Sequence, residues 1–313
     1  MRAVTVDDGS LKVVDRPDPK PGKGEVLISV RAAGINGADI HQKNGIYPAP
    51  PGSPPDIPGL ELAGEVVALG DGVLRFEEGD RVMAIVGGGG QAELAVVHER
   101  GAMPVPDALD WPAAGGAPEV FTTAHDALFT QGDLKAGERL LVHGAAGGVG
   151  TAAVQLGRAA GARVTATVRN EAHRERVAEL GANVIPPGEF TDHGPYDVIL
   201  ELVGAPNLPG NLGSLASLGR VVIIGIGAGA KAEINLGALM GTRATVRGSM
   251  LRARSLEDKA AAMRAVERQV LPLFDSGALI VPIAETFPLE RAADAYERFE
   301  AGGKCGKIVL VTG

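Results

Sequence analysis

Thiols are almost absent from this chain: of 313 residues only Cys305 is cysteine. That excludes an internal disulfide framework and a thiolate-rich metal cage, and it fits a reducing compartment. Long apolar runs are missing as well, none reaching the roughly 20 residues that cross a bilayer. The N-terminal MRAVTVDDGS places Asp7 and Asp8 where a secretory leader needs its apolar segment, so the expected location is cytoplasmic. There is no clustered basic face, and with a formal net charge of -8 nucleic acid is not an expected partner. The six histidines contain no i, i+4 pair, and no Gly-Lys-Ser/Thr follows a glycine-rich loop, which sets aside a helical metal pair and the nucleoside-triphosphate loop. What remains is 45% apolar and 22% charged residues, enough to bury proper cores, over a length that suits two medium domains.

The rhythm of the chain changes twice. The first third reads as short strands and turns, GEVLISVRAAG, ELAGEVVALGDGV and GDRVMAIV, broken by the proline-rich YPAPPGSPPDIPG and by Gly87 to Gly90. From residue 139 strands and helices alternate: RLLVHGAA, VGTAAVQLGRAAG, ARVTATV, EAHRERVAELG, YDVILELVG and GRVVIIGIG, with ATVRGSM as a sixth strand. Continuous Val/Ile/Leu runs between helices that stop at Gly161 and Gly181 imply a parallel sheet covered on both faces. Next, Ser255 followed by Asp258 marks a helix start, and Met263, Val266 and Val270 share one face of that helix. The last sixty or so residues are read as returning to the first domain, with a cleft between the two bodies. The expected boundaries are 1–118 and 253–313 for the outer domain and 119–252 for the insertion.

HGAAGGVG, residues 143–150, is the segment with most chemical content. Gly144, Gly147 and Gly150 give a GxxGxxG spacing between a strand and a helix, the context of a dinucleotide fingerprint. Glycines there let the backbone turn and approach a pyrophosphate, while the free N–H groups around Gly148 and Val149 and the helix dipole meet its charge. The next strand ends at Arg169-Asn170. A guanidinium suits a ribose 2′-phosphate, and Asn170 adds a neutral donor, so NADPH is the expected cofactor. Glu171 is the competitor for an unphosphorylated ribose; it is read instead as capping the following helix.

These residues, with GINGADIHQKNGIYPAPPG, IPGLELAGEV, GGGGQAELAVV, PEVFTTA, MLRARSLEDK and GKIVLV, make nearly the whole chain resemble a zinc-free medium-chain dehydrogenase/reductase. It is similar to the zeta-crystallin type of quinone oxidoreductase, and within that type to the p53-inducible quinone oxidoreductase group. The resemblance implies a Rossmann doubly wound parallel sheet inserted into a mainly-β GroES-like catalytic domain, and a homodimer joined through ATVRGSM and the segment before it. Zinc-dependent relatives carry a cysteine ligand at the position of Asn36 and Gly-His-Glu at Gly59-Leu60-Glu61. Without those ligands no Lewis acid polarises an alcohol, and the expected chemistry is hydride transfer to a quinone or an α,β-unsaturated carbonyl.

By the same resemblance Asn36 and Asp39 line the cleft, Tyr47 borders the substrate, Thr123 lies beside the nicotinamide half of the cofactor, and Ile226 and Gly227 let backbone approach its ribose. Tyr47, Asn36 and Asp39 are the candidate catalytic residues. Tyr47 would hydrogen-bond the carbonyl oxygen as charge builds on it, a role worth about 2 to 4 kcal/mol; packing within its proline-rich loop is the alternative. For Asn36 the alternative is a turn cap. Cys305 is read as structural. Gly147 replaces a serine common in relatives, and Pro186-Pro187 replaces Asn-Tyr, which removes an aromatic near the adenosine phosphate. Three other readings stay open: a specific alkenal or enone reductase with quinones incidental, a non-catalytic NADPH-binding protein of crystallin-like or RNA-binding kind, and an enoyl-reducing module of a larger synthase. The last is disfavoured by a chain that reads as one complete unit.

Overall fold

In the computed structural model, which describes residues 1–313, Thr123–Met250 forms one compact unit, and Met1–Thr122 together with Leu251–Gly313 forms the other. The expected boundaries at 118/119 and 252/253 stand at 122/123 and 250/251.

The outer unit is built on a seven-stranded sheet. Its strands run in the order Ile283–Pro288, Lys307–Val311, Glu25–Ile35, Glu61–Leu69, Arg81–Ile85 and Ala102–Pro104, with Leu94–His98 also paired to Glu25–Ile35. Glu25–Ile35 organises it. Its first half alternates, with Val26, Ile28 and Val30 facing a core shared with Leu62, Val66 and Val82, as a sheet with one covered face requires. From Ala32 onward the strand is buried on both faces. One of its edges is used twice: Glu25 to Ser29 pair with Leu94–His98, and Ala32 to Ile35 pair with the C-terminal strand. Ile308 lies opposite Ile35, so this register brings Lys307 to the end of the strand, next to Asn36. A second core gathers Ile35, Phe287, Leu289, Tyr296 and Ile308. The helix Leu256–Gln269 starts as expected: the Ser255 hydroxyl accepts from the Asp258 N–H at 3.1 Å, while Met263 and Val266 are fully buried.

The inserted unit is a six-stranded parallel sheet in the order Asn183–Ile185, Arg163–Thr167, Arg139–Val142, Tyr196–Glu201, Leu215–Ile223 and Thr245–Gly248. In chain order that is 3-2-1-4-5-6, the doubly wound arrangement, and it changes direction between Arg139–Val142 and Tyr196–Glu201. Leu140 to Val142 and Val198 to Leu200 are wholly buried, which is why these segments read as continuous apolar runs. The glycine turn leaves the end of one of these two strands, and the loop beginning at Leu202 leaves the other. Ligands of open α/β sheets bind at such a switch point.

Candidate functional site

In the inserted unit the three spaced glycines do three different jobs. Gly144 has φ +64°, a left-handed turn that a side chain would strain. At Gly150 an added Cβ would stand 2.6 Å from Ala145 Cα and from the Gly144 carbonyl, so only glycine lets the helix Gly148–Ala159 sit this close to the turn. Gly147 is the helix N-cap, with φ -76° and ψ 168°, and an added Cβ would find only the Gly144 carbonyl, 3.5 Å away. It caps nothing with a side chain, and no acid occupies the first turn. The N–H groups of Gly148, Val149 and Gly150 therefore open a twelve-residue helix whose dipole favours an anion.

The strand Arg163–Thr167 ends two residues before Arg169, and both Arg169 and Asn170 are exposed. The cap of the next turn is Asn170, whose Oδ1 accepts from the Ala172 N–H at 3.1 Å. Glu171, the expected cap, is instead an exposed side chain 3.6 Å from Arg174. The difference is one of reach, because a cap must stand before the first turn with extended backbone, as Asn170 does at φ -82° and ψ 114°. Arg174, whose Nε points at the Val168 carbonyl at 3.4 Å, is a second guanidinium by this loop that the sequence did not single out. Ile226 and Gly227 lie exposed in the loop after Leu215–Ile223. Thr123 is nearly buried in the helix Pro118–His125.

Beneath the glycine turn lies a buried polar relay. Glu201 Oε1 accepts from the N–H groups of Val203 and Gly204 at 2.7 and 2.8 Å, and its Oε2 accepts from Asn211 Nδ2 at 2.8 Å. That bond turns the Asn211 oxygen toward His143, whose Nε2 stands 2.8 Å from it and must carry the proton. Nδ1 then accepts from the Thr167 hydroxyl at 3.1 Å. Burial pushes the His143 pKa below its ordinary value, in keeping with this neutral tautomer, while Glu201 and the bond to Asn211 pull the other way. The relay ties together the ends of three neighbouring strands where the candidate cofactor loops begin.

In the outer unit Asn36, Asp39 and Tyr47 come from one short stretch. The helix Gly37–Lys43 begins after Asn36, whose N–H donates to Asp39 Oδ2 at 2.8 Å. Asp39 is fully buried, and its other oxygen accepts from the Gly59 N–H at 3.0 Å. Burial raises its pKa to about 6, against the pull of those two bonds and of Lys307 and Arg252. The Asn36 side chain is fully engaged: Nδ2 donates to Glu61 Oε1 at 2.9 Å, and Oδ1 accepts from Lys307 Nζ at 2.7 Å. Lys307 divides its three protons among Asn36, the Ile35 carbonyl at 2.9 Å and Glu61 Oε1 at 2.6 Å. The remaining oxygen of Glu61 accepts from the Glu119 N–H at 2.9 Å. Tyr47 is half-buried, with the Arg252 guanidinium carbon 4.9 Å from its ring centre. Burial raises its phenol pKa and Arg252 lowers it. The sequence singles out Tyr47, Asn36 and Asp39 as candidates, but not Lys307, Glu61 or Arg252 as their partners.

Two family models match the chain: the alcohol dehydrogenase GroES-like domain over residues 22–107 and the zinc-binding dehydrogenase over residues 148–268. Quinone oxidoreductase of Rattus norvegicus is 32% identical over 305 residues, spanning 94% of this chain and 91% of the relative. A phenolphthiocerol/phthiocerol polyketide synthase polypeptide of Mycobacterium tuberculosis is 31% identical over 315 residues, which is 96% of this chain but 14% of that protein. Among solved structures, an alcohol dehydrogenase superfamily protein from Novosphingobium aromaticivorans aligns with a TM-score of 0.88 and 28% identity, covering 100% of this chain and 99% of that one. A Rossmann sheet with its glycine turn, set in a GroES-like unit and matched at this identity along nearly its full length, makes the chain an oxidoreductase of the medium-chain dehydrogenase/reductase family, which depends on nicotinamide dinucleotides.

Proposed function

We propose that this chain is a zinc-independent, NADPH-dependent reductase of quinones or α,β-unsaturated carbonyls, acting as a homodimer in the cytoplasm. The observation that carries the reading is the Lys307 ammonium, held by Glu61, the Ile35 carbonyl and Asn36, the last standing where zinc-dependent relatives carry a cysteine ligand. An ammonium already neutralises Glu61, and an amide stands where a thiolate would be required. A dication there would meet a buried like charge and too few anionic donors, so the donor set does not suit zinc. Without a Lewis acid the acceptor must be electron-poor in its own right.

The cofactor suits the turn better. Gly147 leaves open backbone at an uncapped helix N-terminus for the pyrophosphate, and Arg169 presents an exposed fork for a 2′-phosphate. NADPH, when bound, supplies the hydride. Tyr47 is the group that would hydrogen-bond the acceptor oxygen as it gains charge, while Asn36 and Asp39, both committed to internal hydrogen bonds, hold the helix that precedes it. For the dimer, the outermost strand Thr245–Gly248 is largely exposed, and Leu236 and Met240 on the helix before it are 63% and 76% exposed. A sedimentation profile of a monomer at micromolar concentration would remove that part.

The deciding experiment is the initial rate of cofactor oxidation with 9,10-phenanthrenequinone, NADPH and NADH side by side, before and after dialysis against a chelator. The expected result is a strong NADPH preference untouched by chelation, with Arg169→Ala weakening NADPH binding about tenfold or more. Equal rates with NADH, or activity that requires added zinc, would sink the reading. A second reading, reduction of a specific enone with quinones incidental, draws on the match to the polyketide synthase polypeptide, and it is favoured if enones turn over and quinones do not.

A further inference from the structure

The loop 44–58 that carries Tyr47 is poorly able to hold itself. Six of its fifteen residues are proline, which has no N–H to donate, so its carbonyls must find donors elsewhere. The N–H groups of Val6, Gly89 and Gln91 serve Asp56, Ile57 and Pro58 at its far end, and Arg252 serves Tyr47. The Arg252 side chain is 3% exposed and stands at the start of the segment Leu251–Gly313. Its Nη1 donates to the Tyr47 carbonyl at 3.0 Å. Nε and Nη2 both donate to the Gly87 carbonyl, at 2.8 and 2.6 Å, and Nη2 also reaches Gln42 Oε1. Gln42 in turn donates to the Pro55 carbonyl at 3.3 Å, farther along the same loop.

Gly87 belongs to the same assembly. An added Cβ there would lie 2.2 Å from Ser53 Oγ and 2.7 Å from Pro50 Cγ, so the glycine run is laid directly on the proline loop. One guanidinium thus joins Tyr47, Gln42 and Gly87, and its carbon lies over the Tyr47 ring, 4.9 Å from the ring centre. None of these hydrogen-bond partners is a carboxylate. A buried cation without a bonded counterion is costly, and Asp39 and Glu119 reach it only through space. Lysine would not replace it, because the Tyr47 carbonyl, the Gly87 carbonyl and Gln42 Oε1 are met by three separate nitrogens of a rigid fork, positions that a single ammonium nitrogen does not reproduce. The clamp takes the Tyr47 carbonyl and ring face and leaves the hydroxyl out.

We propose that Arg252 is the positioning residue for the acceptor: it fixes the height and tilt of Tyr47 by clamping the 44–58 loop to Gly87. The proposal rests on Tyr47 being the acceptor's hydrogen-bond partner, as inferred above. Arg252 touches neither acceptor nor cofactor and acts through Tyr47.

The test is a double-mutant cycle. Quinone kinetics at saturating NADPH are compared in the wild type, Arg252→Lys, Tyr47→Phe and the double variant, with NADPH affinity followed by fluorescence. Arg252→Lys is expected to lower kcat/KM for 9,10-phenanthrenequinone about tenfold, mainly through KM, with NADPH affinity within about twofold. In the Tyr47→Phe background the same change is expected to cost less than about twofold. Equal losses in the two backgrounds, or a parallel loss of NADPH binding, overturn the proposal. If Arg252→Lys folds poorly, Gln42→Met removes one arm of the clamp and should show the same pattern at about threefold. Limited proteolysis without any substrate separates the clamp from the reaction. The 44–58 loop should resist thermolysin in the wild type and be cut in Arg252→Lys while the rest of the chain stays intact, and equal cleavage in both refutes the clamp. Absence of all turnover in the wild type would remove the proposed reaction and leave the clamp to that measurement.

Discussion

Glu61 in the outer unit and Glu201 in the inserted unit are both carboxylates at or below 1% exposure, and the chain deals with them in opposite ways. Glu61 is neutralised by an ammonium from the last strand, with Asn36 and the Glu119 N–H completing its shell. Glu201 has no cation bonded to it; it is surrounded by the N–H groups of its own turn, by Asn207 and by Asn211, all within ten residues of it. One charge is balanced across the whole length of the chain and the other by its immediate neighbours. In the inserted unit the Glu201 carboxylate at the candidate cofactor loops is thus balanced by locally determined structure, whereas the surroundings of Asn36 in the outer unit depend on Lys307, 271 residues away in the chain.

This contrast is open to attack by mutation. The largest expected effect is from Lys307→Met, which leaves Glu61 charged, buried and without its cation; urea unfolding should show a loss of about 3 to 5 kcal/mol. Most of that loss should return in the Lys307→Met, Glu61→Leu double variant, and if it does not, the pair is more than a balanced charge. Next is Asp39. Its folded pKa of about 6 lies above its ordinary value, so the stability it lends is present in full below about pH 4 and is lost as pH rises through 6. The stability of the wild type relative to Asp39→Asn should accordingly fall by about 3 kcal/mol between pH 4 and pH 7, measured by denaturant titration at each pH. A flat difference would mean that Lys307 and Arg252 keep Asp39 ionised throughout.

A smaller effect is expected at Glu201. Glu201→Gln sets an amide against the Asn211 amide but keeps an acceptor for the turn, a loss of about 1 to 3 kcal/mol in urea unfolding. A loss as large as that of Lys307→Met would erase the distinction between local and distant balancing. The smallest effect is at Gly147→Ser, where the added Cβ meets ordinary van der Waals distance; thermal unfolding should shift by less than about 0.5 kcal/mol. At Gly150 the same kind of change should disrupt the turn.

The same contrast explains what could be read from the amino-acid order. Five strands of the parallel sheet, the glycine turn and the cap at Ser255 all rest on residues a few positions apart, so periodicity and spacing reveal them, whereas the edge strand Asn183–Ile185, three residues long, has too little pattern to be read. Even the local misreading, Glu171 in place of Asn170 as cap, was an error of one residue. The surroundings of Tyr47 and Asn36 were not legible beyond resemblance. Lys307 and Arg252 reach Asn36 and Tyr47 only after the C-terminal strand and the segment from Leu251 have returned to the outer unit. His143 was visible as the first letter of the glycine turn, yet its partners Asn211 and Thr167 come together only through the strand order of the sheet.

The register that pairs Ile308 with Ile35 also sets a timetable. Glu61 leaves the ribosome long before its counterion, so at about 5 to 20 residues per second the carboxylate waits on the order of ten seconds or more for its partner. Until Lys307 emerges the outer unit cannot balance this charge, whereas Thr123–Met250 is contiguous and can fold as it emerges. The nascent outer unit is thus the part of this protein most exposed to chaperones and proteases, and a ribosome stalled just short of Lys307 would release a chain with a complete nucleotide fold and an open, charged wound where Asn36 and Glu61 should have closed.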